Sequence, residues 1–547
     1  MTRLLCACAL LAVSGGSLAF AQDASGTIGG SILDPSNSAV PNAKVSFTDV
    51  NRNQVVRSVN ASSGGTYFAP LLPVGIYKIK VESAGFKTEE RTGVVLNVSD
   101  DLKINFSLKV GAASETVEVT ADAAAVELGS PASATTIEGR QISELALGTR
   151  NYESLVALMP GVASNAVDDL YVGNSLPSGA ASTVPFSVNG QRNSSNNWTV
   201  DGADNVDRGS NQTLSTFPSV DAISQFKVER TAYTADTGRA GGANINVVTK
   251  SGTQAFHGGF YEFFRNDALN ANIWSNNANR VNLVDGKAKN TPVRWNDFGF
   301  TLGGPIYIPG HFNRNRNKTF FFYSQEWRRI INYTTFNPTA VPTTGMLAGN
   351  LLQPVCVQFS GTTCVLTGTQ IAPSLFNPNS AAYIKDIFSK LPLLSGTTVA
   401  STTSLFAPVR NIFNSRQEVG RIDHQFSERF SIWGRFTIDD IPTTEAGGLF
   451  GQSTVPLMAT TRTNSPGRGV VIHAVNTITP AIFNDAGFNF SQSAILTVPI
   501  GLSARANSPD INPSLAFPNP EGVVPTLAFT SGSSTNGAGP YSDYNRN

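Results

Sequence analysis

Phe430-Ser431-Ile432-Trp433-Gly434-Arg435-Phe436-Thr437-Ile438-Asp439 is the stretch from which the architecture can be read. In an extended chain Phe430, Ile432, Gly434, Phe436 and Ile438 fall on one side and Ser431, Trp433, Arg435, Thr437 and Asp439 on the other. The run has about the length that a tilted strand needs to cross the apolar part of a bilayer. One face of Phe and Ile suits lipid, and the opposite face, with an arginine and an aspartate, suits a wet lumen.

The same alternation recurs on both sides of this stretch. Phe298, Phe300, Leu302, Ile306 and Ile308 interleave with Asp297, Gly299, Thr301 and Gly303. Further strands are predicted near 255–266, 318–330, 417–426, 468–477 and 482–493, with the run Phe320-Phe321-Phe322-Tyr323 leaving its lipid face open. Connections alternate in length. Ser427-Glu428-Arg429 and the turn around Thr479-Pro480 are short enough for the periplasmic side of an outer-membrane barrel, whereas Asp267–Val293 and Ile331–Arg416 have the length of extracellular loops. Residues 253–547 therefore read as a partial antiparallel transmembrane β-barrel. About seven strands are readable, whereas a barrel wide enough for an inner plug takes roughly 22. An incomplete chain is the expectation, in keeping with the loop-like ending Tyr544-Asn545-Arg546-Asn547.

Composition agrees with export. Lys and Arg number 39 and Asp and Glu 39, so no net field draws in nucleic acid. Charged residues are 14% of the chain, against ~25% in an average soluble protein. Arg3, the apolar stretch Leu4–Val13 and Ala19-Phe20-Ala21 predict a signal peptide over 1–21, with a mature chain from Gln22. Cys6 and Cys8 leave with it. Cys356 and Cys364 remain, close together in a Thr-, Ser- and Pro-rich stretch of an exported chain, and are a disulfide candidate.

Residues 25–110 read as seven short strands separated by turns at Asp34-Pro35, Pro41-Asn42, Ser62–Gly65, Pro73–Gly75 and Ala84-Gly85. Val45 and Phe47, and Tyr77, Ile79 and Val81, alternate with polar neighbours, which predicts one buried face on each strand. The runs Gly64-Gly65-Thr66-Tyr67-Phe68, Leu72-Pro73-Val74-Gly75-Ile76-Tyr77 and Ala84-Gly85-Phe86-Lys87 resemble the carboxypeptidase regulatory-like domain. The resemblance implies a prealbumin-like, carbohydrate-binding-like β-sandwich without peptidase chemistry. A carbohydrate-binding role and a periplasmic spacer or docking role both stay open.

From 132 to 252 the pattern becomes a predicted helix, Ile142–Met159, stopped by Pro160-Gly161, followed by short strands rich in Asn, Gly and Asp turns. Arg150-Asn151-Tyr152-Glu153-Ser154-Leu155, Val188-Asn189-Gly190-Gln191-Arg192, Val200-Asp201-Gly202-Ala203-Asp204-Asn205 and Thr237-Gly238-Arg239 with Gly241-Gly242 resemble the plug of TonB-dependent receptors. The resemblance is to the Oar-like subgroup of these receptors, which carry a regulatory-like domain in front. The resemblance implies an α/β plug, an outer-membrane location with the sandwich in the periplasm, and TonB with its inner-membrane energising complex as partner. It also implies that the linker 111–131 holds a TonB-contact segment, for which Glu115, Thr116, Val117, Glu118, Val119, Thr120 and Ala121 are the candidates. A linker strand packed on the sandwich is the other reading of those residues.

Asp201, Asp204 and Asp207 lack the alternate oxygen ligands of a calcium loop, Ala203 standing where one belongs, so a hairpin turn is predicted instead. His257, His311, His424 and His473 are scattered without metal-ligand spacing, and no H-E-x-x-H, G-x-S-x-G or P-loop pattern occurs. No catalytic residue, metal site or cofactor is expected. The reading is of a mainly β TonB-dependent transporter or receptor in contact with outer-membrane lipid, for an extracellular substrate that is a carbohydrate, a peptide or a metal chelate. An outer-membrane structural, adhesion or secretion-related role of the Oar-like type is the alternative.

Overall fold

The computed structural model describes residues 24–112, 114–120, 132–145, 147, 150–164, 186–206, 211–233, 241–272, 274–279, 283–284, 287–288, 290, 292–336, 342–391, 407–448, 453, 455–513, 518–520, 522–527 and 540–546. The predicted signal peptide, linker residues 121–131 with Ala121, and Asp207 and Gly238 lie outside the described residues.

Strands β1 (Ser25–Leu33), β2 (Lys44–Asp49), β3 (Gln54–Asn60), β4 (Thr66–Pro73), β5 (Gly75–Glu82), β6 (Thr88–Leu96), β7 (Asp101–Lys103) and β8 (Phe106–Ser107) form a two-sheet sandwich. One sheet runs β4-β1-β7 with β8 also on β1, the other β3-β2-β5-β6. Eight strands form where seven were predicted. Alternation places Val45, Phe47, Tyr77, Ile79 and Val81 in one core with Ile28 and Ile32 of the facing sheet, each buried aliphatic side chain contributing about 1.5–3 kcal/mol. Tyr77 keeps its hydroxyl satisfied by donating to the Pro73 carbonyl at 2.6 Å.

Strand β9 (Thr116–Thr120) extends this second sheet. It lies parallel to β6, Thr88 opposite Thr116 and Thr92 opposite Thr120, and the Thr88 amide donates to the Glu115 carbonyl. The TonB-contact candidates Glu115–Thr120 are thus docked on the sandwich rather than held in a free linker. A Val-Thr alternating run beside an open sheet edge gains main-chain hydrogen bonds by pairing there.

The central body holds a five-stranded sheet in the order β10 (Ser133–Glu138), β15, β16, β13, β14, with β13 (Asn197–Val200), β14 (Ala203–Asp204), β15 (Ile223–Thr231) and β16 (Asn244–Thr249). A separate hairpin joins β11 (Val162–Ser164) to β12 (Phe186–Val188). The main sheet has two unlike faces. Trp198, Val200, Phe226, Val228, Ile245 and Val247 enter the apolar core, while Asn197 bonds to Asn244, Thr199 to Asn246, and both of those asparagines to Glu229.

The predicted helix Ile142–Met159 does not form as one element. A helix covers Gly139–Glu144 and a 3-10 helix Tyr152–Leu158, separated by Arg150 at φ 54°. Gly148 in the middle of the pattern weakens a continuous helix by about 1 kcal/mol, and the break turns Arg150 away from the apolar stripe. Ile142, Leu155, Val156 and Met159 still reach the core, whereas Leu145 and Leu158 are exposed.

A ten-stranded antiparallel sheet follows. It begins with β17 (His257–Asn266); then comes a small hairpin of β18 (Leu283–Val284) and β19 (Lys287–Ala288) outside it, before β20 (Arg294–Pro305) and β21 (Thr319–Phe336). A second outlying hairpin, β22 (Asn350–Ser360) and β23 (Thr363–Gln370), precedes β24 (Ala407–Ser427), β25 (Phe430–Asp440), β26 (Pro442–Glu445), β27 (Thr461–Asn464), β28 (Gly467–Thr479), β29 (Ile482–Pro499) and β30 (Tyr541–Arg546). β25 and β26 are one bent pass across the sheet, and so are β27 and β28, since β26 pairs with β27 where β25 pairs with β28. Pro466, which cannot donate to the ladder, sits at the second bend.

Three predicted strands are longer than expected: β21 runs to Phe336, β24 starts at Ala407 and β29 runs to Pro499. The loop expected over Ile331–Arg416 is shortened accordingly. Ile306 and Ile308 lie past the end of β20, where Ile308 bridges Phe312 in a turn. In β25 Phe436 is 40% exposed while Arg435, Thr437 and Asp439 are buried against the central body. In β21 Phe320, Phe322, Ser324, Glu326, Arg328 and Ile330 face inward, which settles the ambiguous aromatic run: Phe321 and Tyr323 point outward. Tight turns join β24 to β25 and β28 to β29 at one end of the sheet, the periplasmic end by the length rule. At the opposite end, Tyr383, Ile387, Phe388, Val455, Met458 and Ile511 pack the long connections into a core of their own.

Candidate functional site

The two turns that the plug resemblance singled out are built alike. Asn189 (φ 51°) and Gly190 (φ 73°), like Asp201 (φ 50°) and Gly202 (φ 79°), occupy left-handed backbone in succession, the geometry of a type I′ hairpin turn that Asn-Gly and Asp-Gly favour. The second turn joins β13 to β14 and aims Asp201 at the wall. Asn205 accepts from the Thr216 amide at 3.0 Å and hydroxyl at 2.9 Å, and so anchors the loop before β15. The Gly241 and Gly242 amides both donate to the Ser195 carbonyl. A side chain on Gly242 would strike the Asn196 amide oxygen. Asp204 accepts from the Val206 amide. Arg192 is exposed and stands apart from this constellation.

What these turns position is a polar seat between body and wall. Asp201, fully buried, accepts from the Thr249 amide and hydroxyl. It also pairs with Arg435 of β25 at 3.0 Å and Arg421 of β24 at 3.4 Å. Arg421 in turn pairs with Asp423 at 3.0 Å and lies over the Trp433 ring. Asp439 of β25 accepts from the Phe217 amide at 2.6 Å.

Higher along the wall, Arg150 pairs with Asp221 of the body, with Asp297 of β20 at 3.4 Å and with Glu326 of β21 at 3.6 Å, and it covers the Phe263 ring. Arg328 of β21 pairs with Asp297 at 3.2 Å and Glu326 at 3.0 Å, and donates to Asn151 and to the Arg150 carbonyl. Ser219 and Tyr261 donate to Glu326. Beside this cluster the Glu153 carboxylate is 5% exposed and neither oxygen has a hydrogen-bond partner. Burial pushes its pKa up to about 7, against the pull of Arg328.

The sandwich meets the same seam at its periplasmic end. Arg52, in the turn between β2 and β3, donates to the Gly252 carbonyl at 3.2 Å and pairs with Asp423 at 3.2 Å. Asp49 beside it is held above the usual carboxylate range by burial, despite Arg52. Lys227 of β15 pairs with Asp100 at 2.9 Å. Lys250, whose pKa burial lowers, lines a cavity of about 580 Å³ where sandwich, body and wall converge, with Asn51, Arg52, Ser224, Gly252 and Thr301.

These groups bind and hold. Among the described residues no three His, Cys, Asp or Glu side chains gather as a metal site. His473 is buried against Asp485 and the Trp433 ring. The disulfide Cys356–Cys364, Cα atoms 5.6 Å apart, staples the exposed hairpin β22–β23, which is a separate two-stranded sheet. Arg150, Asp201 and the inward faces of β20 and β25 were read from the sequence; the ion pairs joining them, and the part played by Arg52 and Lys227, were not. Acids and bases two apart on a membrane strand, Glu326 and Arg328 or Arg421 and Asp423, are the signal that was available.

Residues 248–547 match the family model described as "Outer membrane beta barrel domain" and residues 27–109 the "Carboxypeptidase regulatory-like domain". The chain is similar to "TonB-dependent transporter Oar" of Myxococcus xanthus, 28% identical over 341 residues, which is 60% of this chain and 29% of that protein. It thus spans less than a third of the length of this curated relative. Among solved structures, the outer membrane transporter YddB from Escherichia coli aligns at 10% identity over 67% of this chain and 40% of its own, with a TM-score of 0.42. A variant of the ferric enterobactin receptor PfeA from Pseudomonas aeruginosa aligns at 12% identity over 70% and 43%, with a TM-score of 0.39.

Proposed function

The chain belongs to the outer membrane beta barrel family, and from that premise we propose that it is a TonB-dependent outer-membrane transporter or receptor whose central body, residues 132–252, is the plug. One observation carries the reading. The body is seated on the inner wall by buried ion pairs, Arg150 with Asp297 and Glu326 and Asp201 with Arg421 and Arg435, rather than by apolar contact alone. Such groups are rehydrated when a seam opens, so a charged seat permits reversible motion in a way that a greasy one does not.

In this reading the substrate arrives at the packed extracellular connections, and TonB pulls from the periplasm on the segment Glu115–Ala121. β9 is the end strand of its sheet, and its outer edge offers the main-chain groups on which a partner strand can be added. The chain makes and breaks no covalent bonds. Carbohydrate, peptide and metal chelate remain the candidate cargo classes. The test is accumulation of labelled oligosaccharides, peptides and ferric chelates by cells carrying the protein, with and without a protonophore. Deleting residues 115–121 should abolish energy-dependent accumulation and spare binding at the cell surface; equal accumulation by the deletion removes the segment from the mechanism.

The alternative, an adhesion or secretion-related role, draws on the exposed hairpin β22–β23, in which Phe359, Val365 and Leu366 face solvent beyond the sheet. If cells without the hairpin lose attachment or export while every accumulation is normal, that role replaces transport.

A further inference from the structure

The sandwich does more than precede the plug in the chain. Its β2–β3 turn is driven into the seam where the body ends and the wall begins. The Asn51 carbonyl accepts from the Gln254 amide at 3.1 Å. Arg52, 8% exposed, reaches the Gly252 carbonyl and Asp423, and its guanidinium lies 5.0 Å from the centre of the Phe320 ring on β21. The turn is pre-shaped for this: the Asp49 carboxylate accepts from the Asn51 and Arg52 amides, and Asn53 holds φ 47°.

From Arg52 an alternating series of charges runs through all three parts of the molecule. Arg52 of the sandwich pairs with Asp423 of the wall, Asp423 with Arg421, Arg421 with Asp201 of the body, and Asp201 with Arg435 of the wall. Two further contacts flank it. Lys227 is buried against Asp100 and the Ser99 carbonyl on one side, and Arg57 and Phe68 rest on the Phe483 ring beside the β28–β29 turn on the other. Beneath the docked sandwich Val248 of β16 is 2% exposed and lines a small cavity of about 80 Å³ with Arg52, Arg421, Gln425, Ser431 and Trp433.

We propose that the sandwich is a periplasmic latch. Docked as here, with Arg52 in the seam, it holds the body in its seat and closes the periplasmic end; the body moves only after the β2–β3 turn withdraws. The latch refines the transport reading and rests on it. The position of β9 fits the arrangement, since a pull on a strand that belongs to the sandwich sheet reaches the latch before it reaches the body.

The test uses the whole chain in outer-membrane vesicles, in a Cys356→Ser/Cys364→Ser background with Val248→Cys as reporter. Maleimide labelling of residue 248 should accelerate about tenfold or more in Arg52→Ala and in Asp423→Asn, because each removes the buried ion pair that ties the sandwich to the wall, and less in Arg52→Lys. Tryptophan fluorescence, from Trp198 in the body and Trp295, Trp327 and Trp433 in the wall, and heat-modifiable migration, unchanged, show that body and wall remain folded. Labelling of Arg52→Ala at the parental rate overturns the latch, and so does acceleration accompanied by loss of the Trp198 signal, which marks a folding role. In cells, an Asn51→Cys/Gln254→Cys cross-link should stop energy-dependent accumulation until a reductant is added. Normal accumulation by the cross-linked protein sinks the latch and leaves transport standing; no energy-dependent accumulation by any form sinks transport, and the labelling rates still decide the latch.

Discussion

The sandwich core and the body–wall seat are both buried, yet they are made of opposite materials. In the first, Val45, Phe47, Tyr77, Ile79 and Val81 meet Ile28 and Ile32, and the hydroxyls of Tyr67 and Tyr77 find backbone carbonyls inside, Ile104 and Pro73. In the second, Arg150 and Arg328 share three carboxylates, Asp221, Asp297 and Glu326, and Asp201 holds two further arginines. An apolar core loses its full burial energy as soon as it opens to water. A charged seat recovers hydration when it opens, so the free-energy difference between seated and unseated states is smaller than the sum of its ion pairs. The first material suits a part that stays folded through every cycle, the second a joint that has to release.

The largest effects should come from breaking each region in its own way. Phe47→Ala should destabilise the sandwich by about 3–5 kcal/mol, read from its urea midpoint, while leaving the Trp198 signal of the body in place. Asp201→Ala should weaken the seat by a similar amount, about 3–5 kcal/mol, because Arg421 and Arg435 are left facing each other without their shared anion. If Asp201→Ala changes the protease sensitivity of the body no more than a surface substitution does, the seat is not the joint described here.

Glu153 sharpens the comparison through pH. Its pKa is raised from 4.5 to about 7 in the folded state, so between those values the folded body binds the proton that the unfolded chain releases. Stability is therefore full below about pH 4.5 and falls as pH rises through 7, by on the order of 3 kcal/mol once the carboxylate is ionised. Glu153→Gln should remove that slope, measured by urea titration of Trp198 fluorescence at pH 5 and pH 8; an unchanged slope places the titrating group elsewhere.

A smaller effect is expected where charge is exchanged for grease. Lys227→Met with Asp100→Leu should hold the sandwich to the body within about 1 kcal/mol of the parent, whereas Asp100→Ala alone should loosen it by several times as much, as seen in hydrogen exchange of β16. Smallest of all, Tyr77→Phe should cost the sandwich about 0.5–1.5 kcal/mol, the net worth of one buried hydrogen bond to Pro73.

Much of this was legible beforehand. The two-residue period of Phe430–Asp439, the Asp201-Gly202 turn and the buried alternation of Tyr77, Ile79 and Val81 are local patterns, and local patterns survive whatever the chain packs against. The helix over Ile142–Met159 failed for the converse reason. Its apolar stripe is real, but Arg150 is worth more facing Asp297 and Glu326 than in a helical turn, and those partners are more than a hundred residues away in the chain. Residues 116–120 stand between these cases, since packing on the sandwich was one of two readings open in the sequence. Their extended, β-prone character is written in the composition, whereas pairing with β6 depended on a sheet edge being open at that place.

Side-chain order along each strand and the small left-handed turn residues were therefore enough to indicate strand class and, outside Phe320–Tyr323, facing, while the outer-membrane location came from the family resemblance. Which acid meets which base, that Arg52 enters the seam, and that the long outer connections share a core were decided by folding alone. The reason is physical: periodicity and turn preference act over a few residues, whereas a buried ion pair depends on the distance between two side chains and on the water excluded around them, and both exist only once the distant strands have come together.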